Sequence, residues 1–189
     1  TARRFRAVNV TIPYKALALA QCDEVSEEAK AIGAVNTVVN RGGRLFGYNT
    51  DFGGFRLLVR HRGVSLAGKT VLILGTGATQ RTVRAVCTAE GAAQVLCASR
   101  SAKPGALRYE QAAARQDVNV IINASPAGMY PNNGTCLVDL AAPGAFPALE
   151  AVFDVVYNPL HTRLLQMAEA RGVPCAGGLL MLVAQAKYA

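Results

Sequence analysis

The sequence predicts an α/β protein in which a parallel sheet is covered by helices on both faces. Three observations lead there. From Gly68 onward short apolar runs alternate with stretches of helical pattern. One of those runs ends in a glycine-rich turn that opens a helix, and residues 1–67 follow a different pattern. Of the 189 residues, 51% are hydrophobic and 17% charged, which supplies a sizeable core and excludes a disordered chain.

In the first segment, Val8–Ile12 alternates like a strand, although no partner for it is evident. Pro13 opens a helix that runs to about Cys22, and Glu24–Ala31 reads as another helix. Val35–Asn40 and Arg44–Tyr48 are two strands joined by Arg41, Gly42 and Gly43, a hairpin signal. Asn49, Thr50 and Asp51 supply cap residues for a helix reaching about Arg62. Beyond Gly68, Lys69–Leu74 is a continuous β-branched run of the kind buried in a parallel sheet. A helix over Thr79–Ala89 follows, with Val83, Val86 and Cys87 on one face. Further strands are expected at Gln94–Ala98, Val118–Ile122, Ala151–Val156 and Val173–Cys175, with a helix over His161–Arg171 that Gly172 stops.

The net charge of +8 is unevenly placed. Residues 1–69 carry 11 Lys and Arg against 5 Asp and Glu, whereas the remainder carries 9 against 7. The basic residues, among them Arg41, Arg44, Arg56, Arg60 and Arg62, are scattered, and with no tryptophan there is little to stack on bases. A surface of this kind attracts small anions, and nucleic acid is not expected as a partner. No stretch approaches the ~18 apolar residues of a membrane span, so no membrane partner is expected. Arg3, Arg4 and Arg6 follow Thr1 without an apolar run behind them, which excludes a visible signal peptide and suggests part of a longer chain. Five dispersed cysteines and only two histidines, His61 and His161, give neither a disulfide framework nor a metal site; the expected compartment is the reducing cytoplasm.

Leu74-Gly75-Thr76-Gly77-Ala78-Thr79 stands between a strand and a helix, the context in which a dinucleotide is held. The first glycine permits a tight turn, the second lets backbone approach a pyrophosphate, and the helix start presents free N–H groups to it. Gln80 stands where a third glycine is usual, and an ordinary strand-to-helix turn is the competing reading. After the second strand, Ser99-Arg100-Ser101-Ala102-Lys103 contains no carboxylate to accept a ribose 2′-hydroxyl. Arg100, with Ser99, Ser101 and Lys103, suits a 2′-phosphate instead, which favours NADP over NAD.

Lys15 lies in the first turn of its helix, where the macrodipole disfavours a cation, while Asp51 sits at a helix start that favours a carboxylate. Brought together they could pass a proton to or from a substrate hydroxyl. Taken separately, Lys15 is equally a surface lysine, and Asp51 is more readily a mere helix cap.

Asn9-Val-Thr-Ile-Pro-Tyr-Lys15, Gly33-Ala-Val-Asn-Thr37 and Gly47-Tyr-Asn-Thr-Asp51 resemble the signature segments of the shikimate dehydrogenases. So do Asn123–Met129, Asp154–Leu160 and Gly178–Gln185, in the same order. The resemblance implies reversible NADP-dependent reduction of 3-dehydroshikimate to shikimate in aromatic amino acid biosynthesis. It implies Lys15 and Asp51 as the catalytic pair, and Thr11, Asn36, Asp51, Tyr157 and Gln185 as substrate contacts. Gly75, Thr76, Gly77, Ala78 and Thr79 then hold pyrophosphate, Ser99, Arg100, Ser101 and Lys103 the adenosine phosphate, and Ser125, Met129, Val155 and Gly178 border the nicotinamide. The implied architecture is an incomplete α/β substrate-binding domain over 1–51, a Rossmann-like NADP domain over 52–176, and a C-terminal helix over 177–189 packing back toward the substrate domain. The first part of that domain, with paired serines for the substrate carboxylate, and the tail after the last helix are the pieces expected to be missing. A homodimer is an assembly the resemblance admits. Ala78 and Thr79 replace the usual last two residues of GxGGA, Ser99 the usual asparagine of the clamp, and Leu180 and Ala184 a common glycine and histidine. Competing readings are an NAD-using quinate/shikimate dehydrogenase, a non-catalytic dinucleotide-binding relative, and another Rossmann oxidoreductase.

Overall fold

A computed structural model describes residues 5–11 and 13–189. Ile12, the last residue of the first expected strand, lies outside the described residues, as do Arg3 and Arg4. Two sheets organise the chain. The smaller contains β1 (Ala7–Asn9), β2 (Glu24–Val25), β3 (Thr37–Arg41) and β4 (Arg44–Tyr48) in the order β1-β3-β4-β2. β3 and β4 form the expected hairpin, with Arg41 opposite Arg44 and with φ values of 60° and 92° at Gly42 and Gly43. Two consecutive positive φ values match the twist of a tight hairpin and favour glycine at both positions.

Two readings of the first segment are corrected. β1 does have a neighbour: it pairs antiparallel with β3, placing Ala7 opposite Val39 and Asn9 opposite Thr37. Glu24 and Val25 do not begin a helix but add a short strand parallel to β4. The helix starts later because Ser26 caps it. The Ser26 hydroxyl accepts from the Ala29 N–H, and α2 (Glu27–Ile32) places Glu27 and Glu28 in its dipole-favoured first turn. Helix α1 (Lys15–Gln21) and α2 cover a small core of Ala29, Val35, Val38 and Leu45.

The larger sheet is parallel throughout and ordered β10-β9-β8-β5-β6-β7. Its strands are β5 (Thr70–Leu74), β6 (Gln94–Ser99), β7 (Leu107–Arg108), β8 (Val120–Asn123), β9 (Ala151–Asp154) and β10 (Cys175–Ala176). Helices α3 (Thr50–His61), α4 (Ala78–Ala89) and α7 (Leu179–Tyr188) pack on one face around Phe55, Ile73, Val83 and Met181. Helices α5 (Tyr109–Ala113) and α6 (Arg163–Ala170) cover the other around Leu72, Ile121, Phe146 and Leu165. β7 and α5 have no counterpart in the sequence reading. The expected strand over Ala151–Val156 stops at Asp154, and the expected helix from His161 begins at Arg163 behind its cap, Thr162.

From β5 the chain winds outward to β6 and β7; from β8 it winds the other way to β9 and β10. The reversal leaves a crevice between the carboxyl ends of β5 and β8, the position at which open α/β sheets take their ligands. α3 starts against the small sheet and ends in the core of the large one, so position 51 lies in its first turn. α7 lies along α3, where a Cβ on Gly54 would come within 2.8 Å of the Met181 carbonyl oxygen.

Candidate active site

Lys15 is the first residue of α1, and its backbone carbonyl accepts from Val35 N–H at 2.9 Å. Asp51 stands in the first turn of α3, which Asn49 caps by accepting from Phe52 N–H at 3.2 Å. Asn36 fixes that turn from the side. Its Nδ2 donates to Thr50 Oγ1 at 3.0 Å, and its Oδ1 accepts from Thr50 N–H at 2.8 Å. With both ends held, Lys15 Nζ donates to Asp51 Oδ2 at 2.5 Å, with side chains only 12% and 9% exposed. Two residues 36 positions apart thus form a shielded charge-assisted pair, an arrangement that neither a surface lysine nor a simple helix cap requires.

This pair faces a cavity of about 430 Å³ at the meeting of both sheets. Thr11, Asn36 and Asp51 line it from the small-sheet side, Ser125, Met129, Val155 and Tyr157 from the large-sheet side, and Gly178 and Gln185 from the last helix and its start. Asn9, Val10, Met181 and Leu182 also line it, as do Ala124 and Pro126. Asn36 is more occupied than a free substrate contact would be, because Thr37 Oγ1 also donates to its Oδ1 at 3.2 Å.

A second cavity, about 550 Å³, extends from Lys15 over the glycine-rich turn, and Thr79, Ala124, Ser125 and Pro126 border both. Gly75, Thr76, Gly77, Ala78, Thr79, Ser99, Arg100, Ser101 and Lys103 all line it. Gly75 has φ of +111°, and a Cβ there would sit 3.0 Å from Ser125 Cβ and 3.2 Å from the Ala124 carbonyl oxygen. Only glycine satisfies both limits. A Cβ on Gly77 would meet nothing within 4 Å, so the space above the helix start is open to a ligand. Lys103 Nζ donates to Thr76 Oγ1 at 2.8 Å, joining the loop after β6 to the turn after β5. Ser99 Oγ donates to the Ser101 carbonyl at 2.5 Å and so shapes the clamp from within. Gln80, in the place of a third glycine, is buried and donates through Nε2 to Cys97 Sγ at 2.9 Å, tying α4 to β6.

Among the described residues four cations line this second cavity, Lys15, Arg81, Arg100 and Lys103, and no carboxylate does. Lys15 is matched by Asp51, leaving three to face an anion. Arg81 has no place in the sequence reading; it lies one helical turn beyond Gly77, and that spacing is the signal that could have found it. Tyr109 escapes that reading as well, because the two-residue strand before it has no period to read. Burial raises the Tyr109 hydroxyl above its ordinary range, opposed by the Arg100 guanidinium nearby.

Asp154, at the end of β9, is a further ionisable group near the crevice. Burial pushes its carboxyl up from 3.8 to about 6, against hydrogen bonds from Thr162, Val156 and Asn123 that favour the charged form. The folded protein therefore binds this proton more tightly than the unfolded chain. Stability from this group is full below about pH 4, declines as pH rises through about 6, and is then level, a change of about 3 kcal/mol at most. Asp154→Asn is expected to flatten that decline, as measured by urea denaturation on either side of the window. An unchanged decline would assign it to other groups. Among the described residues no group of three or more His, Cys, Asp and Glu could hold a metal ion. No helix among them is long and apolar enough to cross a membrane.

A family model described as the shikimate dehydrogenase substrate binding domain matches residues 1–38. The chain is 40% identical to the NADP-dependent shikimate dehydrogenase of Symbiobacterium thermophilum, a match that covers 94% of this chain and 67% of the relative. Among solved structures it is similar to a chorismate mutase/shikimate 5-dehydrogenase fusion protein from Clostridium acetobutylicum, with a TM-score of 0.88 and 32% identity over 95% of this chain and 68% of that one. It is also similar to shikimate 5-dehydrogenase from Thermus thermophilus in complex with NADP(H) and shikimate. That match has a TM-score of 0.84 and 36% identity, covering 97% of this chain and 70% of that one.

Proposed function

The chain belongs to the shikimate dehydrogenase family, and on that premise we propose that it catalyses the reversible NADP-linked reduction of 3-dehydroshikimate to shikimate, a step toward chorismate and the aromatic amino acids. The observation that carries this reading is the Lys15–Asp51 pair at the junction of two cavities, one of them cationic and open above a glycine-rich helix start. The residues fit the cofactor: an open cradle at Gly77 suits pyrophosphate, and Arg100 and Lys103, with no carboxylate lining their cavity among the described residues, suit a 2′-phosphate. When bound, NADP(H) supplies the hydride chemistry.

The protein's own share is positioning and proton transfer. Lys15 Nζ donates a proton to the carbonyl oxygen as that oxygen becomes a hydroxyl, and takes it back in the oxidative direction. Asp51 holds the ammonium in place and offsets its charge while the site is shielded from water. Thr11, Gln185 and Tyr157 border the same cavity as the pair and are assigned to the substrate hydroxyls, with Asn36 setting the Asp51 turn as well as facing substrate. Ser125, Met129, Val155 and Gly178 are assigned to the nicotinamide end, and Gly75 to Thr79 with Ser99, Arg100, Ser101 and Lys103 to the phosphates.

We divide the chain into a partial substrate-binding domain over 1–51, an NADP domain over 52–176 and a closing helix over 177–189. Separate cores support the division, Ala29, Val35 and Val38 in one and Phe55, Leu58 and Val59 with the large sheet in the other. We also place the protein in the cytoplasm, a reading supported by the free thiols of Cys87, Cys97, Cys136 and Cys175. A homodimer is part of the proposal, supported by Leu179 and Val183, exposed one turn apart on α7, and light scattering measures it.

The test is side-by-side turnover of shikimate and quinate with NADP and with NAD. Preference for shikimate and NADP is expected; preference for NAD or quinate would favour the quinate/shikimate branch. Arg100→Ala is expected to cut the NADP-to-NAD preference by about 10- to 100-fold, the worth of one charged hydrogen bond. An unchanged preference would remove Arg100 from the phosphate site. The shielded Lys15–Asp51 pair weighs against a non-catalytic relative, since burying two charges costs several kcal/mol without a use for them.

A further inference from the structure

We propose that Asp154 is a positioning residue that holds both large-sheet walls of the nicotinamide end in register, an inference that rests on the nucleotide reading above. Asp154 is fully buried, and among the described residues no cation forms an ion pair with it. Its two oxygens instead accept from β8, from the chain two residues on and from the cap of α6. Asn123 Nδ2, at the end of β8, donates to Oδ1 at 2.9 Å. Val156 N–H, in the segment leading to Tyr157, donates to the same oxygen at 2.9 Å. Thr162 Oγ1, the cap of α6, donates to Oδ2 at 2.7 Å.

Two of those segments are cavity walls. Asn123 hands the constraint on: its Oδ1 accepts from Ser125 N–H at 3.1 Å and from Ser125 Oγ at 2.7 Å, and its Nδ2 also donates to the Ala127 carbonyl at 3.0 Å. Ser125 Oγ then accepts from Ala127 N–H at 3.2 Å. The loop bearing Ser125 and the segment bearing Val155 and Tyr157 therefore share one buried anchor. An ionised carboxyl is acceptor-only, which is what three converging donors require; a neutral side chain of the same size offers one oxygen fewer. Retaining a buried charge without a cation is costly, and here it adds a side-chain anchor to two walls that beyond the paired Asn123 and Asp154 share the backbone bonds from Val155 N–H to the Asn123 carbonyl and from Tyr130 N–H to the Asn158 carbonyl, each 3.0 Å.

The experiment uses the chain itself with two probes, NADPH, whose ring fluorescence reports the nicotinamide end, and adenosine 2′,5′-bisphosphate, which occupies only the adenosine end. Asp154→Ala is expected to reduce the fluorescence enhancement of bound NADPH at least about fivefold while the Kd for the bisphosphate changes less than about twofold. Asp154→Asn, which keeps one acceptor oxygen for Asn123 and Val156, is expected to restore most of the enhancement. Thr162→Val, which cuts only the α6 leg, is expected to preserve it. An unchanged enhancement in Asp154→Ala, or a parallel loss of bisphosphate binding, would overturn the inference. If Asp154→Ala does not fold, Asn123→Ala severs the Ser125 leg alone and carries the same expectation. A wild-type chain that binds neither probe would overturn the nucleotide reading, and the inference with it.

Discussion

Lys15→Ala should lower kcat for shikimate oxidation by about 10²- to 10⁴-fold, the usual worth of a positioned general acid or base, with NADP affinity changed only a fewfold. The side chain borders both cavities, and its ammonium is engaged by Asp51 rather than by the pyrophosphate turn. Its removal therefore deletes the proposed proton donor and leaves Arg81, Arg100 and Lys103, the cations proposed to face phosphate, in place. It also strands the Asp51 carboxylate, only 9% exposed, without its cation. A loss of about 1–3 kcal/mol in stability should accompany the kinetic defect. Asp51→Asn separates the two effects, because it keeps a hydrogen-bond partner for the ammonium while removing the charge that holds it. Steady-state kinetics with shikimate and urea denaturation of both variants make the comparison. Near-wild-type turnover in Lys15→Ala would remove the lysine from the chemistry.

The largest stability effect is expected at Gly178. A Cβ there would lie 2.1 Å from the Val155 carbonyl oxygen and 2.5 Å from its carbon. Both are backbone atoms, so no rotamer change relieves the overlap; α7 or the segment after β9 must move. Gly178 N–H also donates to the Val156 carbonyl at 2.9 Å, which resists that movement. Gly178→Ala should cost about 3 kcal/mol or more, a fall in Tm of roughly 6–12 °C for a chain of this size. Gly77→Ala provides the contrast. Its Cβ meets nothing within 4 Å, and φ is −84°, so the fold has room for a methyl there. The melting temperature should stay within about a degree, while the methyl intrudes on bound pyrophosphate and NADP affinity drops about tenfold or more. A Gly178→Ala protein as stable as wild type, or a Gly77→Ala protein binding NADP normally, would contradict this division between a glycine required by packing and one required by a ligand.

What could be read from the sequence follows physical range. Thr70–Leu74 and Val120–Asn123 announce themselves because strands buried on both faces need a continuous apolar run. Glu24 and Val25 mislead because Glu24, Glu27 and Glu28 favour helix locally, whereas the carbonyl of Gly47 on the adjoining strand β4 accepts from Ser26 N–H. The pairing of β1 with β3 was hidden for the same reason: the partner lies about thirty residues on, and three alternating residues do not specify it. The site divides likewise. The glycine turn is a local motif and is legible as one. The contact between Lys15 and Asp51 depends on Asn36 bracing Thr50, a tertiary arrangement that spacing does not encode. Asp154 did leave a trace, a carboxylate closing the otherwise apolar run Ala151-Val-Phe, but two of its three donors, Asn123 and Thr162, come from elements that only the fold brings to it.

The reversal of winding between β5 and β8 has a consequence for how this protein can change. The residues assigned to the phosphates, 75–103, lie on one arm of the large sheet, those assigned to the nicotinamide, 125–178, lie on the other, and Lys15, Asp51, Thr11 and Asn36 stand on the small-sheet side. The arms approach each other at Gly75 and Ser125 and are joined by the ladder between β5 and β8. On these proposed assignments coenzyme choice is a detachable cassette: an acidic residue in place of Arg100 is expected to redirect it without disturbing the geometry at Lys15, and changes on the small-sheet side are expected to alter the carbonyl substrate while the coenzyme stays the same.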